Sequence, residues 1–164
     1  MSSRPMTHGA PDRFLATEVV RVRVCGEGLS LDEAWKHVNA PGCGGQAFFV
    51  GSVRADVTDD GPVVALEYEA YEGVAEGEMR RIAAEAADRF GAERVVLLHR
   101  VGRLAPGEAA VIVAAGCGHR AEAFAACKYL IDELKLRVPI WKKEWTASGG
   151  RWVECTHEHV EFGA

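Results

Sequence analysis

Apolar and polar positions change their spacing several times along the chain, and each change marks an element. Val19 to Val24 alternates valine with arginine, the two-residue period of a half-buried strand. Ser30-Leu-Asp-Glu33 is a capping box, in which Ser30 and Glu33 can each satisfy a free backbone N–H. It predicts a short helix that buries Ala34, Trp35 and Val38. Pro41 to Gly45 breaks the chain, and Gln46 to Val53 reads as a buried strand running straight into Arg54. After a polar turn at Asp56 to Pro62, Val63 to Tyr71 alternates, with Val64, Leu66, Tyr68 and Ala70 on one side and Glu67 and Glu69 on the other.

The period then lengthens. Gly73 to Phe90 carries Ala75, Met79, Ile82, Ala83, Ala86 and Phe90 as one helical stripe, with Gly91 placed as its C-cap. Arg94 to Val101 and Glu108 to Ala115 are predicted strands separated by a Pro106-Gly107 turn. His119 to Val138 is a second long helix with Ala123, Cys127, Leu130 and Leu134 as its buried stripe, ended by Pro139. Ile140 to Trp145 reads as extended, Gly149-Gly150 as a turn and Arg151 to Cys155 as a last strand. No repeat, linker or low-complexity tract interrupts this order. It predicts an α+β or α/β sandwich, two long helices against a mixed sheet.

Composition narrows the class. A chain of 164 residues with 48% hydrophobic and 26% charged positions suits one domain with a sizeable core. The formal net charge of -5 argues against a general nucleic-acid surface, so any anion site must be a local basic cluster. No apolar run approaches the roughly 20 residues of a membrane span. Residues 1–18 lack a signal-peptide core and read as a loose tail, so a cytoplasmic protein is expected. The five cysteines, Cys25, Cys43, Cys117, Cys127 and Cys155, form no C-x-x-C pair and are expected to be reduced thiols.

Candidate chemistry gathers at basic residues near element ends. Arg54 follows a hydrophobic strand. His119-Arg120 stands at the start of a helix, where free N–H groups and the positive dipole end favour a phosphate. A plainer account has both as strand and helix ends meeting solvent. Lys135 shares a helical face with Lys128, Ile131 and Asp132, which also fits a solvated Lys–Asp pair. Pro139-Ile-Trp-Lys-Lys-Glu144 sets Lys142, Lys143 and Glu144 beside Trp141, as pocket groups or as surface charge. A lysine in a crowded basic pocket can serve as base or nucleophile.

Weaker candidates are a Cys117–His119 pair at the same helix start and a Cys155, His157, Glu158, His159 cluster whose spacing matches no standard zinc site. No metal site is assigned. The glycines of Gly42 to Gly45 precede a strand, so they are not a dinucleotide fingerprint, and Cys43 among them reads as exposed.

These residues carry a resemblance. Gly51-Ser-Val-Arg54, Leu66-Glu-Tyr-Glu-Ala-Tyr71, His99-Arg-Val-Gly-Arg-Leu104, His119-Arg120, Leu134-Lys135, Pro139-Ile-Trp-Lys-Lys-Glu144 and Arg151-Trp-Val-Glu154 resemble the molybdopterin synthase large (catalytic) subunit family, in order and in register. The likeness spans about Val19 to Glu154. It implies a domain over residues 19–156 between tails at 1–18 and 157–164. The implied fold is an α+β, hammerhead-type core with a mainly antiparallel sheet, two long helices and a short additional β subdomain. It also implies a homodimer, and a heterotetramer once each copy binds a small ubiquitin-like sulfur carrier ending in Gly-Gly.

The implied reaction moves sulfur from the carrier's thiocarboxylate to cyclic pyranopterin monophosphate, forming the dithiolene of molybdopterin in molybdenum cofactor biosynthesis. No cofactor is needed, because sulfur arrives on the partner. By position, Lys135 and Lys142 correspond to the catalytic lysines. Arg54, His119 and Arg120 correspond to substrate- and phosphate-binding residues, with Lys143 and Glu144 in the same motif. His119-Arg120 would serve the neighbouring protomer's site. The sequence departs from the pattern at Gly116, Cys117 and Thr156. Two other readings stand beside this one: a carrier-binding scaffold without turnover, and a sulfurtransferase that depends on Cys117.

Overall fold

The computed structural model describes residues 18–153, which form two four-stranded sheets, a two-stranded hairpin and three helices. The larger sheet has the order β1 (Val20–Cys25), β6 (Arg94–Arg100), β8 (Ala109–Cys117), β2 (Gly45–Ser52). β1 and β6 run parallel; β6 with β8 and β8 with β2 are antiparallel. The smaller sheet has the order β10 (Gly149–Val153), β9 (Ile140–Thr146), β5 (Ala65–Ala70), β7 (Gly102–Leu104), all antiparallel. It corresponds to the additional β subdomain expected above. β3 (Val57–Thr58) and β4 (Gly61–Pro62) make a small hairpin inside the predicted polar turn.

The larger sheet is covered on both faces, which explains why β6 and β8 read as unbroken apolar runs rather than alternating ones. Val95, Leu97, Val111, Val113 and Ala115 face α2 (Glu72–Phe90) and α3 (Arg120–Arg137). Val96, Leu98, Ile112 and Ala114 face α1 (Leu31–Val38) through Ala34 and Val38. The α2 stripe of Ala75, Met79, Ile82, Ala83 and Ala86 is fully buried, and Gly91 closes the helix in the left-handed conformation at φ 62°. Arg137, at the end of α3, bridges to Glu78 and Glu85 on α2 and to Glu133 on its own helix.

Several expectations need correction. Ser30 caps α1 by accepting from the Glu33 N–H at 3.1 Å, but the Glu33 carboxylate does not close the box. It turns instead to Arg21 and Arg23 at 2.8 and 2.9 Å, where charge-assisted bonds are stronger than one to a neutral N–H. Trp35, expected in the core, is 44% exposed and leans on Phe48, because Ala34 and Val38 already fill the space over the sheet. β2 is an edge strand, not a buried one, and leaves Phe49 and Val50 exposed. Val64 lies outside β5 and is exposed, while Val63 is buried. The last turn is Ala147-Ser148, with Gly149 at φ 123° already opening β10. Cys43 is buried.

The α3 stripe generates a direct test. Leu130 is fully buried between helix and sheet. Leu130→Ala should lower unfolding free energy by about 2–5 kcal/mol, the range for deleting a core leucine. Chemical denaturation measures it, and a loss below about 1 kcal/mol would contradict the packing described.

Candidate anion-binding site

Two of the singled-out lysines come together. Lys135 stands in the last turn of α3, and Lys142 on β9. Both line a cavity of about 120 Å³ where the smaller sheet meets the end of the larger one. Six elements build it, α3 and β9 among them. The end of β2 supplies Gly51 and Ser52, β5 supplies Tyr68, β6 supplies His99, and β8 supplies Ala110 and Val111. Apolar groups of α3 and the following turn complete the wall. Gly51 is required here: a Cβ at that position would stand 2.6 Å from Val111 Cγ1.

Among the described residues no carboxylate lines the cavity, and neither Lys135 nor Lys142 forms an ion pair. Asp132, the carboxylate that the sequence offered to Lys135, is bound by Lys128 one helical turn away. The cavity therefore presents uncompensated positive charge at its mouth, which is what an anionic ligand meets most favourably.

The other candidates lie elsewhere on the chain. Arg54, two residues past β2, is 84% exposed on its side chain and sits 3.3 Å from Asp56. Buried Val53 anchors that stretch through bonds to Glu108 and Gly107. Lys143 points to the opposite face of β9 from Lys142, as strand alternation requires. Its ammonium lies over the rings of Trp145 and Trp152, at 4.7 and 5.4 Å, and does not line the lysine cavity. Glu144 shares the Lys142 face by alternation but is not in the cavity wall; its Oε1 lies 3.7 Å from Arg151.

His119 is the N-cap of α3 and makes no side-chain capping bond; Arg120 opens the helix. Both are exposed, as is Phe124 one turn on, at 68%. This end of α3 is pressed directly on the start of β2: a Cβ at Gly45 would stand 3.0 Å from the Arg120 nitrogen, and one at Gly44 would stand 2.4 Å from the Gly118 carbonyl oxygen. The glycine run is thus a backbone-to-backbone seat. Arg120 and Lys135 are separated by fifteen positions of one helix, about 22 Å at 1.5 Å per residue. Within one chain the two basic centres therefore stand well apart along the helix.

Tyr68 and His99 are cavity residues that the sequence did not single out as chemical. Tyr68 was visible as an inward position of an alternating strand, and His99 only as an apolar-strand terminus. His99 is 5% exposed. Its Nδ1 lies 2.8 Å from the Arg100 carbonyl oxygen, and its ring meets Tyr68 edge-on at 5.2 Å. Burial pulls its pKa down to about 4, the Arg100 bond opposes that, and the Lys135 charge adds to the fall. The thiol of Cys117 is 1% exposed, and burial pushes its pKa up to about 11, with Cys43, Glu122 and Glu93 adding to the rise. It is a core group and not a thiolate nucleophile. The candidate cluster of Cys155, His157, Glu158 and His159 lies outside the described residues, as do Thr156, Glu154 and both terminal tails. No described helix is long and apolar enough to cross a membrane.

An α+β chain with two lysines at one cavity and a separate basic helix start is the arrangement that comparison with known proteins places in a family. Residues 24–137 match the family model described as MoaE protein. The molybdopterin synthase catalytic subunit of Caulobacter vibrioides is 49% identical over 113 residues, 69% of this chain and 73% of that one. The crystal structure of molybdopterin synthase from Staphylococcus aureus superposes with a TM-score of 0.77 at 30% identity, covering 80% of this chain and 96% of that one. The molybdopterin biosynthesis MoaE protein of Burkholderia ambifaria MC40-6 gives 0.71 at 39% identity, covering 82% and 89%. This chain belongs to the MoaE protein family.

Two outcomes follow from the burial of these groups. Cys117→Ala should leave any sulfur-transfer activity within about twofold of wild type, since an inert core thiol contributes packing only; loss of turnover in a folded variant would restore the cysteine mechanism. Between pH 6.5 and about 4 the unfolded chain binds a proton at His99 that the folded chain excludes, so stability falls as pH drops through that window. His37, whose pKa burial also lowers, acts in the same sense. The thermal midpoint of the wild type should therefore fall more steeply across that window than that of His99→Gln; equal slopes would contradict a buried neutral imidazole.

Proposed function

We propose that this chain is the catalytic subunit of a molybdopterin synthase, a sulfurtransferase that moves sulfur from a thiocarboxylated carrier to cyclic pyranopterin monophosphate. The observation that carries the reading is the cavity that Lys135 and Lys142 line together, in a chain of the MoaE family. A thiocarboxylate is an anion on a peptide end. The cavity is narrow, so it suits an unbranched Gly-Gly tail better than a fused pterin ring. The two ammonium groups attract that tail. The sulfur attacks the pterin while still bound to the acyl carbon; water then adds to that carbon and the C–S bond breaks, leaving a carboxylate on the carrier and the sulfur on the pterin, and the ammonium groups stabilise the charge that develops. Either lysine, in its neutral form, can instead take a proton or attack the acyl carbon. No bound cofactor enters, because the sulfur is delivered by the carrier.

The second basic centre binds the substrate phosphate. His119 and Arg120 offer a helix N-terminus, a guanidinium and an exposed face, but they stand about 22 Å from the lysines of their own chain. They serve the cavity of a second copy, with the exposed Arg54 as a further cation for the phosphate. The homodimer places β2, with its exposed Phe49 and Val50, under cover. Two carriers then complete a heterotetramer, working in the cytoplasm. Lys143 and Glu144 contribute by holding β9 in place beside the bound substrate.

Purified chain supplied with thiocarboxylated carrier should convert the cyclic precursor. Lys135→Ala should cut kcat by about a hundredfold or more while the fold persists; full activity in that variant would refute the assigned role, and carrier binding without any turnover in the wild type would favour a scaffold. Lys135→Ala and Arg120→Ala, each inactive alone, should regain about a quarter of wild-type activity when mixed and allowed to exchange subunits, because half the dimers are mixed and each holds one intact site. Absence of recovery in demonstrably exchanged dimers would place both centres in the same chain's site.

A further inference from the structure

The face of the smaller sheet turned away from the lysine cavity carries three of the chain's four tryptophans. Trp141, Lys143 and Trp145 alternate with Lys142 and Glu144 along β9. Glu69 and Glu67 stand across from Trp141 and Lys143 on β5, and Trp152 stands across from Lys143 on β10. One part of this face is filled by the chain's own cations. Trp145 donates its indole N–H to Glu67 at 2.7 Å, while Arg103 and Lys143 lie over its ring at 4.6 and 4.7 Å. A flat ring beside a carboxylate is here a seat for a cation, because the ring's negative face and the carboxylate attract in the same sense.

Two residues along, the same pair recurs. Glu69 and Trp141 face each other across the strands, and with Ala70, Tyr71 and Trp152 they line an open cavity of about 350 Å³. Tyr71 and Trp141 meet edge-on, their centroids 5.6 Å apart and their planes at 87°, so they form two walls of a corner. The three rings are 46 to 70% exposed, and large aromatic groups left together in water mark a place of contact. Lys143, 5.4 Å from the Trp152 ring, is not in the cavity wall. A guanidinium suits this corner better than an ammonium: it is flat enough to stack on a ring and forked enough to meet a carboxylate. Ring contacts to one small cation give binding only in the millimolar range, so a useful occupant arrives on something larger. We propose that this corner seats an arginine side chain of a partner protein, stacked among Tyr71, Trp141 and Trp152 and paired with Glu69. The site does not depend on the sulfur-transfer reading.

NMR of the isotopically labelled full chain tests it. N-acetyl-arginine amide should shift the indole N–H resonances of Trp141 and Trp152 saturably, with Kd in the millimolar range, and leave that of Trp35, over the larger sheet, unmoved. N-acetyl-citrulline amide has the same shape without the charge and should bind about tenfold more weakly or not at all. Glu69→Gln and Trp141→Leu remove the charge and the ring in turn, and each should weaken the arginine probe by about threefold or more. Equal binding of citrulline would make the corner merely apolar and overturn the proposal. So would the absence of any shift, or full affinity in either variant with the fold intact. Free arginine, with its charged main chain, separates the sources. Affinity no better than that of the capped probe supports a partner's side chain; a preference of about tenfold for free arginine marks an amino-acid site and overturns the proposal.

Discussion

The seating of α3 on the larger sheet governs this molecule. Its buried stripe, Ala123, Cys127, Leu130 and Leu134, locks an 18-residue helix against β8 and β2, so both helix ends are fixed relative to the sheet. One end holds His119 and Arg120, the other Lys135. Helix pitch then dictates that two basic centres on one element stay about 22 Å apart. The lysine end gathers with the smaller sheet into a cavity, and the separation is why the arginine end is proposed to serve another copy.

The cavity itself sets charge against apolar walls. Its walls are apolar groups of α3, β8 and the turn into β9, and Lys135 and Lys142 stand at it with no counter-ion among the described residues. Elsewhere the chain pairs its cations readily, as Arg137 does with three glutamates and Arg21 and Arg23 do with Glu33. Two lysines left unpaired among the described residues stand out against that habit, and positive charge kept free is what an anionic ligand meets most favourably. His99 fits the same logic: a buried imidazole kept neutral supplies polarity without adding a charge of either sign.

Much of the fold was legible in the sequence because most elements are strongly periodic. The helix stripes at Ala75 to Ala86 and Ala123 to Leu134 emerged where period alone placed them, and so did Gly91 as a left-handed cap. What was not legible depended on neighbours. Nothing local tells that β2 lies at an edge while the similarly apolar β8 lies inside; strand order decides it. Trp35 looked like core because helical spacing marks a face without measuring its depth. The site divides in the same way. Lys135 and Lys142 were found through resemblance, but their convergence, Lys143's turn toward Trp145 and Trp152, and His99's entry into the cavity wall are matters of three-dimensional register.

The glycine seat at the start of β2 has a mechanical consequence. Gly44 and Gly45 let the backbone around residues 118–120 rest directly on the strand, with no side chain between them as a cushion. A rigid rod supported at such a hard point acts as a lever: raising one end by the width of a methyl group tilts the other. Bulk introduced at position 45 would thus be felt first at Arg120 and then, through the length of the helix, at the ammonium of residue 135. Two centres that stand well apart within one chain are in this way kept in mechanical register by two residues that have no side chains at all.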